Sequence, residues 1–157
     1  MPLLINAFWA GCFAAGLGLL LTTPPQGLLP CFACGLAGRL VRNLVVATGT
    51  SATVGVVLGA VVCVVVASAL SHRGQTISPL VMVTGVLPLG AAVPLFKSVY
   101  GLLTLPAVPG DALTDPVVQL VANLSTVFTT TLAMVLGVWL GLFVMTALGQ
   151  KDHLLRH

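Results

Sequence analysis

The sequence predicts an all-α integral membrane protein with five transmembrane helices, the fourth broken by prolines. Of its 157 residues, 58% are hydrophobic and only 6% are charged, whereas an ordinary soluble domain carries roughly 25% charged residues. Five apolar runs reach the length of about 20 residues that a helix needs to cross the hydrocarbon core. Only short segments separate these runs, so we expect a single transmembrane domain over residues 1–157.

The first three predicted spans cover residues 3–21, 26–47 and 50–71. Span one lacks a basic leader and a small-residue cleavage pattern near its end, so we expect a retained helix and not a signal peptide. Span two begins just after Pro24 and Pro25 and carries two cations, Arg39 and Arg42. Span three is rich in valine, but in lipid a helix is enforced because every backbone polar group needs a partner.

Span four, residues 79–105, is interrupted by Pro88 and Pro94, with Gly85 and Gly90 close by. Each proline removes a backbone N–H and clashes with the preceding turn. We therefore predict that the helix is bent or unwound between Gly85 and Pro94. In lipid such a break persists only where it is buried in protein or lines a wet cavity, an arrangement typical of transporters.

Span five, residues 115–148, is predicted to begin with Asp115 as the N-cap and Pro116 at the first helical position. A helix of this length is about 50 Å long at 1.5 Å per residue, against a hydrocarbon core of about 30 Å. The helix is therefore expected to tilt, to bend or to project into water.

Polar and small residues recur along span five at helical spacing. They predict one stripe that must face protein or water, formed by Gln119, Asn123, Thr126, Thr130, Gly137 and Gly141. Hydrogen bonding between helices and close packing of small residues explain such a stripe as well as transport does.

Five spans place the two termini on opposite faces of the membrane. A cytoplasmic C-terminus collects basic residues on that face and leaves the Asp111 and Asp115 loop on the other, in keeping with the positive-inside rule. The basic residues concerned are Arg73, Lys151 and Arg156. Arg39 and Arg42 lie nearer the other face and offset part of this bias.

The order of these features resembles the threonine/serine exporter family, and more narrowly its small subunit, which is equivalent to the C-terminal half of ten-span members. The family pattern G-x-x-G-H-x-x-R in span two is matched by Gly35, Gly38 and Arg42, while Arg39 stands where histidine is usual. In span four, the family's P-x-x-P-G and following aromatic residue are matched only in part. Pro88 supplies the first proline, Ala91 and Ala92 replace the Pro-Gly pair, Pro94 restores a break, and Phe96 or Tyr100 supplies the aromatic ring.

Candidate pathway residues follow from this reading. Arg39 and Arg42 share a helical face, and at this depth they require an anion, either a substrate carboxylate or one on a partner helix. Snorkelling to the interface is the alternative. The remaining candidates are Pro88 and Pro94, which form the break, Lys97 and Tyr100 just beyond it, and Asn123 and Thr126 on span five.

Lys97 and Tyr100 are explained as well by anchoring at the headgroups. Asn123 lies where the family resemblance places an asparagine, so it is the best candidate for hydrogen bonding a hydroxylated substrate. Cys31 and Cys34 have the C-x-x-C spacing, but their context is neither that of a redox motif nor that of a four-ligand zinc site, so packing is expected.

The resemblance implies a subunit of a secondary exporter of small polar metabolites in the bacterial cytoplasmic (inner) membrane. Threonine and serine are the expected substrates, with dicarboxylates as a second class, and the expected partner is a larger subunit with a cytoplasmic domain and five further spans, or a second copy. No nucleotide motif is present, so an ion gradient is expected to drive export, and no cofactor, metal or nucleic acid is expected. The alternatives are a non-transporting scaffold subunit and, more weakly, an enzyme, for which no catalytic constellation is found.

Overall fold

The computed structural model describes residues 2–71, 79–90, 92–105 and 113–154. These residues form six α-helices and one short 3-10 turn, with no strand among them. The helices are α1 Pro2–Leu20, α2 Pro25–Ala47, α3 Ala52–Ser71, α4 Pro79–Val86, α5 Ala92–Thr104 and α6 Thr114–Leu154, and the 3-10 turn is Leu87–Leu89, between α4 and α5. The predicted all-α fold is confirmed.

Four of the helices are long and apolar enough to cross a membrane, and the count becomes five if the interrupted pair α4 and α5 forms one span. Large apolar side chains such as Trp9, Phe128 and Trp139 are more than 60% exposed, which suits a lipid environment and not water. The break in span four is confirmed, because α4 stops at Val86 and a new helix starts at Ala92.

Both ends of span five differ from the prediction. The carbonyl of Leu113 accepts the first helical hydrogen bond, from the N–H of Val117 at 3.1 Å, so Asp115 lies in the first turn of α6 and is not its N-cap. In the first turn, the negative carboxylate of Asp115 still interacts favourably with the positive end of the helix dipole. α6 also continues to Leu154 and has 41 residues, which makes it about 60 Å long at 1.5 Å per residue.

The chain divides into two compact units. The first comprises Met1–Leu89 and Ala133–His157, and the second comprises Gly90–Leu132. In the first unit α2 packs against α1, α3 and α4. In the second unit Gly101 of α5 faces Leu120 of α6, since a Cβ built on the glycine would lie 3.4 Å from a methyl group of the leucine. The single transmembrane domain over residues 1–157 stays a prediction.

Small residues let the helices of the first unit approach closely. A Cβ built on Gly35 would lie 2.6 Å from the Cβ of Ala14 in α1, and one on Gly137 would lie 2.6 Å from the carbonyl oxygen of Val57 in α3. In lipid, where apolar burial does not drive association, such close backbone contact is a principal source of helix packing energy.

Several residues used in the sequence analysis lie outside the described residues: Arg73, Ala91, Asp111 and Arg156. Lys151 lies on the last turn of α6, but its side chain is not among those described. The orientation of the chain in the membrane therefore stays a prediction.

Candidate functional site

Polar contacts of the first unit lie at the C-terminal end of α4, where span four is interrupted. Pro88 lies in the 3-10 turn that follows α4, and Gly90 has a φ of +139°, a conformation that favours glycine. An uninterrupted helix would satisfy the carbonyls of Pro88 and Leu89 with N–H groups four residues ahead. Because the helix stops, these two carbonyls need other donors.

Arg39 of α2 supplies those donors. Its Nη1 donates to the carbonyl oxygen of Pro88 at 3.1 Å and to that of Leu89 at 3.3 Å. Its Nε donates to Oδ1 of Asn6 in α1 at 3.2 Å. Arg39 lies eight residues before the end of α2, or about 12 Å along the axis, so a charged group at this depth is costly unless it is paired.

Small residues bring α2 close enough to the break for these bonds to form. Gly38 faces Cys63 and the carbonyl of Gly59 in α3, and a Cβ on Gly85 of α4 would lie 2.7 Å from the Cβ of Cys34. Leu89 is fully buried, with its methyl groups against Gly59 and Gly38. The glycines of span two therefore act as packing surfaces that set the position of Arg39.

Arg42 is half-buried and lies one turn further along α2. Its Cγ and carbonyl oxygen pack against Gly55 of α3, and its buried Nε has no hydrogen-bond partner among the described residues. The sequence contains no Asp or Glu before Asp111, so residues 1–110 offer it no carboxylate. Arg42 thus keeps a charge that its neighbours in sequence do not neutralise.

Of the four free cysteines of the first unit, Cys12 is half-buried and the other three are buried. Cys31, Cys34 and Cys63 are fully buried free thiols. The Sγ of Cys63 donates to the carbonyl of Cys34 at 3.2 Å, and Thr84 donates to the Sγ of Cys31 at 3.3 Å. Across residues 2–71, 79–90, 92–105 and 113–154, no group of three or more metal-ligating side chains occurs.

The second unit holds the candidates of span four that follow the break. Pro94 lies in the first turn of α5, a position that its missing N–H permits, and its carbonyl accepts a hydrogen bond from the buried Ser98 at 2.8 Å. Lys97 and Tyr100 lie on the exposed side of α5. Their placement leaves both the pathway role and the headgroup role open.

The α6 candidates share one face of the helix but differ in exposure. Gln119 and Thr126 are exposed, whereas Asn123 and Thr130 are half-buried. The hydroxyl of Thr126 donates to the carbonyl of Ala122 at 2.8 Å, and that of Thr130 donates to Thr126 at 2.7 Å. Further along the helix, Gly137 and Gly141 pack against α3, so that part of the predicted stripe serves helix packing.

Asn6 is the site residue that the sequence reasoning missed. It is an amide in the otherwise apolar helix α1, and a polar side chain in such a setting marks a partner or a pathway. The sequence shows a polar residue in an apolar helix, but it does not show that the partner of Asn6 is Arg39, 33 residues away.

A family model described as Threonine/Serine exporter, ThrE matches residues 6–147. This range includes Arg39, Arg42, the break and most of α6. No curated protein and no solved structure matches the chain. The family is one of transporters and not of enzymes. With its long apolar helices and this match, the chain is a multi-pass membrane protein that belongs to the threonine/serine exporter family.

Proposed function

We propose that this chain is one subunit of a secondary exporter of small polar metabolites in the bacterial inner membrane, with its C-terminus in the cytoplasm. Threonine and serine are the first substrates to test, and dicarboxylates are the second class. The observation that carries the proposal is the break in span four, where Arg39 donates hydrogen bonds to the carbonyls of Pro88 and Leu89. Broken helices at which free backbone groups meet a charged group are typical of transporter sites.

In this proposal Arg42 binds a carboxylate. Its guanidinium is half-buried and has an Nε without a hydrogen-bond partner in the described structure. A planar fork of N–H donors matches a carboxylate in two parallel hydrogen bonds. The carboxylate belongs either to the substrate or to the partner subunit.

The candidate residues of the second unit are assigned by their own chemistry. Asn123 is half-buried on α6, and its amide both donates and accepts hydrogen bonds, which suits a hydroxylated substrate. Lys97 and Tyr100 are assigned to the pathway beyond the break, and Thr126 to its α6 side.

The proposal includes an ion gradient as the source of energy and a partner as the source of the coupling group. Proton relays in membranes use Asp, Glu or His chains, and between residues 1 and 110 this sequence has neither Asp nor Glu. We therefore assign the coupling carboxylate to a larger subunit with a cytoplasmic domain and five further spans, or to a second copy.

A scaffold that only completes its partner's fold is the second candidate. It is favoured by the internal hydrogen bonds of Arg39 and by the threonine hydroxyls of α6, which bond to their own helix. Both arrangements stabilise the chain without requiring a substrate.

One export assay separates the two. Cells or proteoliposomes are loaded with labelled threonine, serine or succinate, and efflux is measured for the chain with its larger subunit, for each alone, and for the pair carrying Arg42→Ala. Gradient-dependent efflux that needs both subunits and falls with Arg42→Ala supports the exporter. Full efflux by the larger subunit alone, or an Arg42→Ala pair as active as the wild type, contradicts it.

A further inference from the structure

The end of α4 is a site of negative partial charge inside the membrane. The last carbonyls of a helix have no intrahelical donor, and together they carry about half a negative charge. At the break, the carbonyls of Pro88 and Leu89 lie in the 3-10 turn that continues α4, at this end of the helix. In hydrocarbon they bind a donor from elsewhere or remain unsatisfied at high cost.

Broken transmembrane helices commonly place a mobile cation at such carbonyls, either a coupling ion or a substrate ammonium. In this chain a side chain lies there already. A guanidinium has five N–H donors, and Arg39 directs Nη1 at both carbonyls and Nε at Asn6. The positive charge of Arg39 thus lies at the negative end of the helix. Backbone carbonyl dipoles supply the negative charge that Arg39 was expected to need from an anion.

We propose that Arg39 is a built-in cation of span four, held by Asn6 on the C-terminal end of α4 in the place where a broken helix otherwise binds a mobile cation. Arg39 is then a positioning residue for the break. While it is bound, sodium ions and substrate ammonium groups do not reach the carbonyls of Pro88 and Leu89. This inference rests on the geometry of the first unit and does not depend on which metabolite is exported.

The chain offers a matched comparison on the same helix. Arg42 carries the same charge three residues along α2, and its Nε has no partner in the part of the chain that the structure describes. Removing either arginine removes one charge, but only the loss of Arg39 frees the two carbonyls. A ligand that replaces the Arg39 side chain should therefore act on one variant and not on the other.

The test is chemical rescue of Arg39→Ala by guanidinium. Thermal unfolding of the full chain is followed in detergent, and export is measured with the larger subunit present. Guanidinium chloride is added at millimolar concentrations, well below the molar range in which it denatures proteins, and sodium chloride is added at the same concentrations as a control. We expect Arg39→Ala to lose thermal stability and export, guanidinium to restore most of both, and sodium chloride to restore neither.

Arg42→Ala is expected to gain nothing from guanidinium. The inference is overturned if guanidinium fails to stabilise Arg39→Ala, or if it stabilises Arg42→Ala or acts no better than sodium chloride. Thermal stability is measured without a substrate, so its rescue supports the inference even if the export assay fails.

Arg39→Lys and Arg39→Met provide a second comparison should the alanine variant not be recovered from membranes. Both side chains are long and flexible, but only lysine carries a charge and N–H donors. A built-in cation predicts that Arg39→Lys is the more stable of the two. A role limited to filling space predicts the reverse, because an apolar side chain in lipid needs no partner.

Discussion

The crossing of α2, α3 and the end of α4 gives the sharpest test of the packing described above. A Cβ added at Gly59 would lie 2.5 Å from a methyl carbon of Leu89 and 2.8 Å from the carbonyl oxygen of Gly38. Real Cβ contacts are almost never this short. Leu89 is fully buried, and the atom of Gly38 that the new Cβ would approach belongs to the backbone. Neither neighbour can therefore move without shifting a helix.

We therefore predict that Gly59→Ala destabilises the chain. Inserting a methyl group into a close-packed core costs about 1–3 kcal/mol, and each kcal/mol lowers the melting temperature of a chain of this size by about 2–4 °C. Displacing Leu89 also moves its carbonyl away from Arg39, so export should fall together with stability. The measurements are thermal unfolding in detergent and efflux in the same preparation.

Gly16→Ala is the matched control. It lies inside α1, and a Cβ built there meets nothing within 4 Å. Alanine favours a helix over glycine by about 1 kcal/mol in water, so this variant should be as stable as the wild type or slightly more stable. The reasoning is refuted if Gly59→Ala melts no lower than Gly16→Ala.

Three further predictions concern the proposed function. Arg42→Ala should lower export more than Arg73→Ala, since Arg73 is predicted to lie in a polar loop. Arg42→Lys should not restore export if two parallel hydrogen bonds to a carboxylate matter. Equal, negligible losses in efflux at both arginines would contradict the assignment. Asn123→Ala should lower efflux of threonine and serine, whereas Thr129→Val, which removes a hydroxyl already bonded to the carbonyl of Ser125, should not; equal losses would sink the role of Asn123. The isolated monomer should not export in liposomes, and mass measurement of the solubilised native assembly should find a second subunit or a second copy; gradient-driven export by a lone monomer would overturn the pairing.

Local signals in the sequence predicted the helices well. Pro24 and Pro25 placed the start of α2 to within one residue, at residue 26 against the observed Pro25, and Pro88 placed the break, because proline acts through its own ring and missing N–H whatever surrounds it. The predicted first residue of α6, Pro116, lies two residues after the observed one, Thr114. There the backbone of Leu113 accepts the first bond, and a two-residue shift at a helix end is within the ordinary spread of such assignments.

The partners of the polar groups were beyond local reasoning. Depth and charge indicated that Arg39 needs an anion, but its carbonyl acceptors lie 49 and 50 residues away in the chain. No periodicity within span two encodes that distance. In the same way, helical spacing grouped Gln119 with Asn123, although the two differ in exposure, because spacing gives the shared face and not what lies against it.

The threonines of α6 also bear on the kind of contact that their face can make. The hydroxyl hydrogens of Thr126, Thr129 and Thr130, which lie within about a third of the helix circumference, are each donated to the carbonyl one turn back, at 2.7 to 2.8 Å. Each oxygen retains lone pairs that accept a hydrogen bond. These threonine hydroxyls can therefore accept hydrogen bonds from an ammonium or hydroxyl group, but they can donate none to a carboxylate without breaking a bond within the helix.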